Sequence, residues 1–160
     1  MKLSDIIIFK ITDTGMNGEG IGKYKNFTVF VPFALKNEII KARIEKIKNN
    51  LAFASVLEII EQSPERQTPP CPYFTICGGC QLQHTNYKNQ LNIKHKAVQT
   101  TLQKAIGSGH EVKPCIFSGQ EFGYRNKIEF AVNGERIGFF EQNSHKIVEI
   151  EHCLLAEHAR

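Results

Sequence analysis

Four cysteines have a spacing that predicts a metal centre. Cys71, Cys77 and Cys80 lie within ten residues, in the segment CPYFTICGGC, and 72 residues separate Cys80 from Cys153. Two thiolates that are two residues apart in a tight turn can bind one centre. The two glycines between Cys77 and Cys80 let that turn close with its backbone amides directed at the sulfurs. Three local cysteines and one distant cysteine match the pattern of iron–sulfur proteins.

The cysteine spacing is also compatible with zinc or with unligated thiols. Structural zinc usually pairs its ligands two and two, but His84 or His152 could replace a cysteine, so spacing alone does not exclude zinc. Buried, unligated thiols are common, although three within ten residues are too concentrated to favour them. Cys115 has no clustered partner and is interpreted as a packing residue. Five cysteines without a secretory signal argue against a disulfide framework.

The segment before the cysteines predicts a small barrel. Five short strands are expected at residues 5–11, 21–25, 27–31, 40–45 and 51–60, separated by turn signals. Five such strands favour a small closed antiparallel β-barrel of the OB type, which leaves no free edge. The glycines of the segment GEGIG (18–22) are interpreted as points where a strand bends. A phosphate-binding loop would require a helix directly after them.

The rest of the chain predicts a second domain with one helix and further strands. The polar, proline-rich stretch at 61–70 cannot continue a sheet, so the domains are predicted at 1–62 and 63–160. Leu91, Val98 and Leu102 recur at helical spacing within a helix expected at 87–106. An Asn-Gly turn predicts a hairpin of 127–132 with 135–140, and another strand is expected at 146–150. The fold class is therefore α+β.

Charge and composition suit a polyanionic partner without identifying one. The net charge is +4, divided as +3 over residues 1–60, +3 over 61–110 and −2 over 111–160. A basic excess in the first two thirds is compatible with a nucleic acid. No stretch approaches the roughly 20 apolar residues of a spanning helix, and the apolar run at 6–9 is too short for a signal peptide. We therefore expect a cytoplasmic protein that does not bind membranes.

Three segments resemble one family, the bacterial 23S rRNA (uracil-5-)-methyltransferases. They are CPYFTICGGCQLQH (71–84), YRNK (124–127) and the stretch from Gly138-Phe139 through Ser144-His145 to Cys153. The first 60 residues resemble the TRAM domain, an OB-like RNA-binding barrel. The resemblance implies that the four cysteines, Cys71, Cys77, Cys80 and Cys153, hold a [4Fe–4S] cluster with a structural role that shapes the RNA site.

The resemblance also implies that this chain is the front half of an enzyme. In the family, a domain that binds S-adenosyl-L-methionine (SAM) follows and carries the nucleophilic cysteine and the general base. The chain ends at Arg160 and contains no glycine-rich turn that could bind SAM. We expect the chain alone to bind RNA and to be inactive in methyl transfer. We expect helix 87–106 to pack against the missing domain, so that its exposed apolar face could promote self-association.

The predicted RNA contacts form two groups. On the barrel, phosphate contacts are expected from Lys23, Lys25, Lys41 and Arg43, with Tyr24 or Phe27 for base stacking. Before the hairpin, contacts are expected from Arg125, Asn126 and Lys127, because a planar guanidinium can clamp a phosphate or stack on a base. The alternatives are that the lysines form a solvated rim, that the aromatic rings fill the barrel, and that Arg125 forms an ion pair.

Two other function classes are compatible with the residues. A ferredoxin-like electron carrier would use the cysteine loop but would leave the basic barrel without a role. A free-standing RNA-binding module, stabilised by zinc or by an iron–sulfur cluster, would need no missing domain. Bound zinc would favour the module, and fast reversible redox cycling would favour the electron carrier.

Overall fold

The first part of the chain is a closed β-barrel, as predicted. The structure is a computed structural model and describes residues 1–156; the predicted end of the second domain, at 160, lies outside the described residues. The five strands are β1 (Ile6–Thr14), β2 (Gly20–Tyr24), β3 (Phe27–Val31), β4 (Ile39–Lys48) and β5 (Leu51–Glu61). They close in the order β1-β2-β3-β5-β4.

One pairing in the barrel differs from the antiparallel prediction. Strands β3 and β5 run parallel, with Val29 opposite Ala52, whereas the other pairs are antiparallel. A closed ring of five strands cannot alternate in direction all the way round, so at least one neighbouring pair must be parallel. Between β4 and β5 the chain reverses in a hairpin at Asn49, which has a positive φ of 54°. The hairpin returns β5 alongside β3 in the same direction. Sequence periodicity identifies strands but not their partners, so it does not predict which pair is parallel.

Alternate side chains of the strands fill the barrel. Ile11, Val29 and Ile40 are completely buried. Two of the glycines in GEGIG allow the strands to approach each other: a Cβ on Gly22 would lie 2.5 Å from the Lys10 carbonyl oxygen, and one on Gly20 would lie 2.8 Å from the Ala34 carbonyl oxygen. The glycines therefore serve the packing of the barrel rather than the binding of a phosphate.

A buried ion pair attaches the following segment to the barrel. Glu38 is 0% exposed and accepts hydrogen bonds from the Leu35 amide at 2.8 Å and from the Ser63 amide at 3.3 Å. Arg66 donates from Nη2 to Glu38 Oε2 at 2.9 Å and to the Phe33 carbonyl at 2.7 Å, and its Nε also contacts Glu38 Oε1. The start of the second part is thus held against the loop between β3 and β4.

The second part contains one helix and a small antiparallel sheet. Its elements are α1 (Tyr87–Ile106), β6 (Ala131–Asn133), β7 (Arg136–Phe140) and β8 (Ile147–Glu149). The helix has the predicted bounds. Its N-cap, Asn86, accepts from the Asn89 amide at 2.9 Å, and Gly107 ends it with a positive φ of 87°.

The predicted hairpin is shorter than expected on its first strand. Residues 127–130 do not join the sheet, and the cysteine loop pairs with the end of β7 instead. The Gly78 amide donates to the Phe140 carbonyl at 2.9 Å, and the Gln142 amide donates to the Ile76 carbonyl at 3.1 Å. This pairing joins the cysteine segment directly to the hairpin.

The apolar face of α1 is only partly covered. Ile93 is its buried residue, whereas Val98 of the predicted stripe and Ile106 at the end of the helix are about half exposed. A side-chain contact from Lys96 to Asp13 of β1 connects the helix to the barrel. Within residues 1–156, no helix is long and apolar enough to cross a membrane. Self-association through α1 stays a prediction.

Candidate metal centre and nucleic-acid interface

All four predicted cysteine ligands line one cavity. The cavity has a volume of about 370 Å³ and lies between the cysteine loop, the segment before β6 and the segment after β8. Cys71, Cys77, Cys80 and Cys153 are all free and half-buried. The fold therefore brings Cys153 next to three cysteines that lie more than 70 residues earlier in the chain.

Hydrogen bonds fix the segments that carry these thiols. The Glu151 amide donates to the Tyr73 hydroxyl at 3.1 Å, which joins the cysteine loop to the segment before Cys153. The Cys71 amide donates to the Gln83 side chain at 3.3 Å. The Gly79 amide lies 3.4 Å from Cys77 Sγ, the arrangement expected from the two glycines.

The surroundings of the Cys80 thiol disfavour its ionisation. Burial raises the pKa of the Cys80 thiol, a hydrogen bond with the Gln83 side chain partly lowers it, and the three other cysteines raise it further. Four thiolates in so small a space need a positive centre to neutralise them. With the side chains in their present positions, residues 1–156 contain no group of three His, Cys, Asp or Glu side chains that could hold a metal ion.

His84, one of the two possible substitute ligands, lies outside this cavity. It is 1% exposed and packs between Phe33 of the barrel and Phe74 of the cysteine loop, at ring distances of 6.0 and 5.5 Å. Neither ring nitrogen has a hydrogen-bond partner within residues 1–156. Burial, assisted by the charge of Arg66 and opposed by Glu38, lowers the pKa of His84 to about 4. The neutral ring therefore belongs to the packing between the two parts.

His152 and Cys115 occupy different places. His152 lines the cysteine cavity, and its ring lies 6.4 Å from that of Tyr73. Cys115 is half-buried and does not line the cysteine cavity, but lines a groove beside α1 to which Cys80 also contributes. Its role as a packing residue stays a prediction.

The basic residues before the hairpin lie at the cysteine cavity. Arg125, Asn126 and Lys127 are all exposed, and Arg125 and Lys127 contribute to its lining whereas Asn126 does not. The Arg125 amide donates to the Leu155 carbonyl at 2.8 Å, and its guanidinium lies 6.0 Å from the centre of the Tyr124 ring. No ion pair involves Arg125 within the described part of the chain.

Lys127 differs from Arg125, since its Nζ lies 2.9 Å from a Glu129 carboxylate oxygen. Both side chains of this pair are largely exposed, so the pair adds little to stability and can open when a phosphate competes for the lysine.

The predicted basic residues of the barrel do not form one group. Lys23 and Lys25 are exposed at and beside the β2–β3 turn, whereas Lys41 and Arg43 lie on β4. The Lys41 ammonium lies 3.9 Å from the Glu58 carboxylate across the strand pair. The seven predicted RNA contacts therefore occupy three places: the rim of the cysteine cavity, the β2–β3 turn and β4.

Base stacking by Tyr24 or Phe27 stays a prediction, and a second aromatic pair lies on the outer face of the barrel. Tyr24 and Phe27 are half-buried and pack against the barrel core, and the Lys25 ammonium lies 5.5 Å from the centre of the Tyr24 ring. Phe30, which is half-buried, and Phe53, which is 39% exposed, point outward from neighbouring strands, with ring centroids 5.5 Å apart and planes at 22°. The signal that could have identified them is their alternation with the buried residues Val29, Val31, Ala52 and Ala54.

The chain matches known proteins over nearly its whole length. Residues 9–57 match the TRAM domain family. The chain is 40% identical over 151 residues to a Clostridium tetani protein named an uncharacterized RNA methyltransferase, covering 92% of this chain and 33% of that protein. A relative of the same name from Halalkalibacterium halodurans is 39% identical over 159 residues, covering 95% of this chain and 34% of the relative.

A solved structure agrees with these relatives. The crystal structure of Pyrococcus abyssi tRNA (uracil-54, C5)-methyltransferase, in complex with S-adenosyl-L-homocysteine, matches with a TM-score of 0.64 and 30% identity. The match covers 96% of this chain and 34% of that one. The chain spans about a third of the length of the curated relatives it matches.

Proposed function

We propose that the chain recognises RNA for a SAM-dependent (uracil-5-)-methyltransferase, because it carries a TRAM domain and is similar over nearly its whole length to proteins named RNA methyltransferases. In this proposal the chain is the RNA-binding and [4Fe–4S]-binding part, the substrate is 23S rRNA, and the protein acts in the cytoplasm. The observation that carries the proposal is the position of Arg125 and Lys127 at the cavity lined by the four cysteines.

The donor set suits an iron–sulfur cluster better than a single zinc ion. Zinc binds thiolates at about 2.3 Å, which requires the sulfurs to converge on one point. The four thiols instead line a cavity, and among the described residues they do not converge into a group that could hold a single ion. A cluster of four irons is wider than an ion and takes four cysteine thiolates. Cys71, Cys77, Cys80 and Cys153 would hold it.

The proposed role of the cluster is structural. When bound, it supplies strong iron–thiolate bonds that join the cysteine loop to the segment after β8. The segment after β8 in turn holds the segment that carries Arg125, because the Arg125 amide bonds to the Leu155 carbonyl two residues after Cys153. The cysteine site thereby fixes where the guanidinium can meet a phosphate.

Methyl transfer itself is assigned to the rest of the protein. The curated relatives are about three times as long as the match, and the solved neighbour is in complex with S-adenosyl-L-homocysteine. We place SAM binding, the nucleophile and the general base outside these 160 residues. The 160-residue chain is then expected to bind RNA without methylating it.

Two measurements on anaerobically purified chain test the proposal. Iron and acid-labile sulfide analysis should give about four irons per chain with broad visible absorption. Filter binding at two salt concentrations should show affinity for 23S rRNA that falls steeply with salt. Stronger binding to bulk tRNA than to 23S rRNA would overturn the choice of substrate. One zinc per chain would favour the free-standing RNA-binding module, and fast reversible redox cycling without RNA binding would favour the electron carrier.

A further inference from the structure

We propose that the cleft between the barrel and the β7–β8 hairpin binds an unpaired RNA base, stacked on the ring of Phe53. The inference rests on the proposed RNA-binding function and adds a specific subsite to it. The cleft has a volume of about 960 Å³, and it is separate from the predicted contacts at Lys41, Arg43 and Arg125.

Aromatic side chains stand on both walls of the cleft. The barrel wall carries the stacked pair Phe30 and Phe53, and Phe53 is 39% exposed. The hairpin wall carries Phe140, which is 49% exposed, with the His145 ring edge-on to it at 5.6 Å. Large rings that remain exposed on facing walls are suited to accept a flat ring between them. Base–aromatic stacking is tolerant of sequence because every base has a π face.

Lysines flank the barrel wall in register with the phenylalanines. On the outer face, Phe53 of β5 pairs with Phe30 of β3 on one side and with Lys46 of β4 on the other. Together with Ile21 of β2, these residues form a row across four strands: Ile21, Phe30, Phe53, Lys46. The neighbouring row is Lys23, Thr28, Leu51, Lys48. Lys23, Lys46 and Lys48 are exposed, and none forms an ion pair within residues 1–156. An aromatic platform beside free cations is the combination that single-stranded nucleic acids require.

The polar groups inside the cleft favour a base over a phosphate. Glu19 and Glu141 line it and would repel a phosphate, but a carboxylate accepts hydrogen bonds from the N–H groups of a base. A strand would therefore run with its phosphates along the lysines and one base turned into the cleft. A duplex cannot present the face of a base in this way, so the site selects unpaired RNA.

Binding of a fluorescent oligouridine of about ten nucleotides, compared with a fully paired RNA duplex of the same length, tests this subsite. The Phe30→Leu/Phe53→Leu double variant keeps apolar bulk on the barrel but removes the stacking surface. We expect it to weaken oligouridine binding roughly five-fold or more and to leave duplex binding unchanged. Phe140→Leu tests the opposite wall without touching the barrel, with a loss in the same direction. Phe117→Leu is the matched control, since Phe117 is 55% exposed and packs on Tyr87 outside the cleft.

A second readout detects the stacked base directly. An oligouridine with one 2-aminopurine should lose fluorescence on binding the wild-type chain and regain it in the double variant. Unchanged affinity and unchanged quenching in both cleft variants would overturn the subsite while leaving the proposed RNA-binding function standing. If the wild-type chain binds neither oligouridine nor 23S rRNA, the subsite and the proposed RNA-binding function are both overturned.

Discussion

The guanidinium of Arg66 covers both carboxylate oxygens of Glu38, a residue that has no exposed surface. The pair joins a loop of the barrel to the first residues of the cysteine-bearing part, 28 residues later in the chain. Charged groups are rarely buried unless they are paired and hydrogen-bonded. Here the carboxylate also accepts two backbone amides, those of Leu35 and Ser63, so its bonding capacity is filled.

Replacing Arg66 should therefore destabilise the chain strongly. In Arg66→Met, Glu38 keeps its two amide partners but loses its counter-charge, and breaking a buried pair in this way costs about 3–5 kcal/mol. Chemical denaturation at pH 7 measures the free energy of unfolding. Arg136→Met is the matched control, since its pair with Glu149 at 3.3 Å is largely exposed and should cost less than about 1 kcal/mol. Equal losses in the two variants would refute the role of the buried pair.

His84 should make the chain less stable in mild acid. Its pKa is about 4 in the folded protein and about 6.5 when unfolded. Between these values the unfolded chain binds more protons, so stability is lost as the pH falls from 6.5 towards 4. The free energy of unfolding should drop by about 2 kcal/mol between pH 7 and pH 5 from this group.

The His84→Phe variant isolates that contribution. A phenylalanine ring is compatible with the aromatic neighbours Phe33 and Phe74 and cannot be protonated. We expect the difference in unfolding free energy between pH 7 and pH 5 to shrink by about 2 kcal/mol relative to wild type. His95→Phe serves as the control, because His95 lies on α1 rather than among these rings. A pH dependence identical to that of the wild type would show that His84 is not held neutral.

Removing one cysteine of the cavity should unfold the second part selectively. In Cys80→Ser the proposed cluster loses a thiolate ligand. The free energy of metal binding at such a site contributes directly to the stability of the folded state. Hydrogen exchange should increase through residues 71–153, while the amides of β1 to β5 keep their protection because the barrel has its own buried core. Cys115→Ser, which changes a cysteine outside the cavity, should retain iron and protection. Loss of protection in the barrel strands as well would contradict independent folding.

Arg125 should contribute to RNA binding through one phosphate. In Arg125→Ala, affinity for 23S rRNA should fall, and the slope of log affinity against log salt should decrease by about 1. Arg136→Ala removes an arginine that already pairs with Glu149 and should change neither quantity. If the salt slope of Arg125→Ala equals that of the wild type, the guanidinium does not neutralise a phosphate.

Local features of the sequence predict the elements well. Helix α1 has the expected bounds, Tyr87–Ile106, because Asn86 caps it and Gly107 ends it. Strand β3 is also found where it is expected, at 27–31, where a turn precedes it and Pro32 follows. These boundaries depend on short-range signals that are written in consecutive residues.

Features that depend on pairing between distant segments cannot be predicted in this way. The outward direction of Phe30 and Phe53 follows from the register of β3 and β5. Glutamate is usually a surface residue, and the burial of Glu38 is explained by its ion pair with Arg66, which lies far along the chain. His84 lies near the cysteines in sequence, yet packing with Phe33 holds it elsewhere. In each case the decisive partner is distant in sequence.

The placement of Cys153 beside Cys71, Cys77 and Cys80 also orders events during synthesis. The residues of the barrel and the first three thiols leave the ribosome first, and 72 further residues must be added before the fourth thiol exists. At about 5–20 residues per second this interval lasts about 4–15 s. During this interval the barrel can already close, while the cysteine loop that follows it carries three thiols and lacks the fourth. Delivery of the proposed cluster must therefore wait for the nascent chain to grow past β8, or begin on three ligands and finish when the last one arrives.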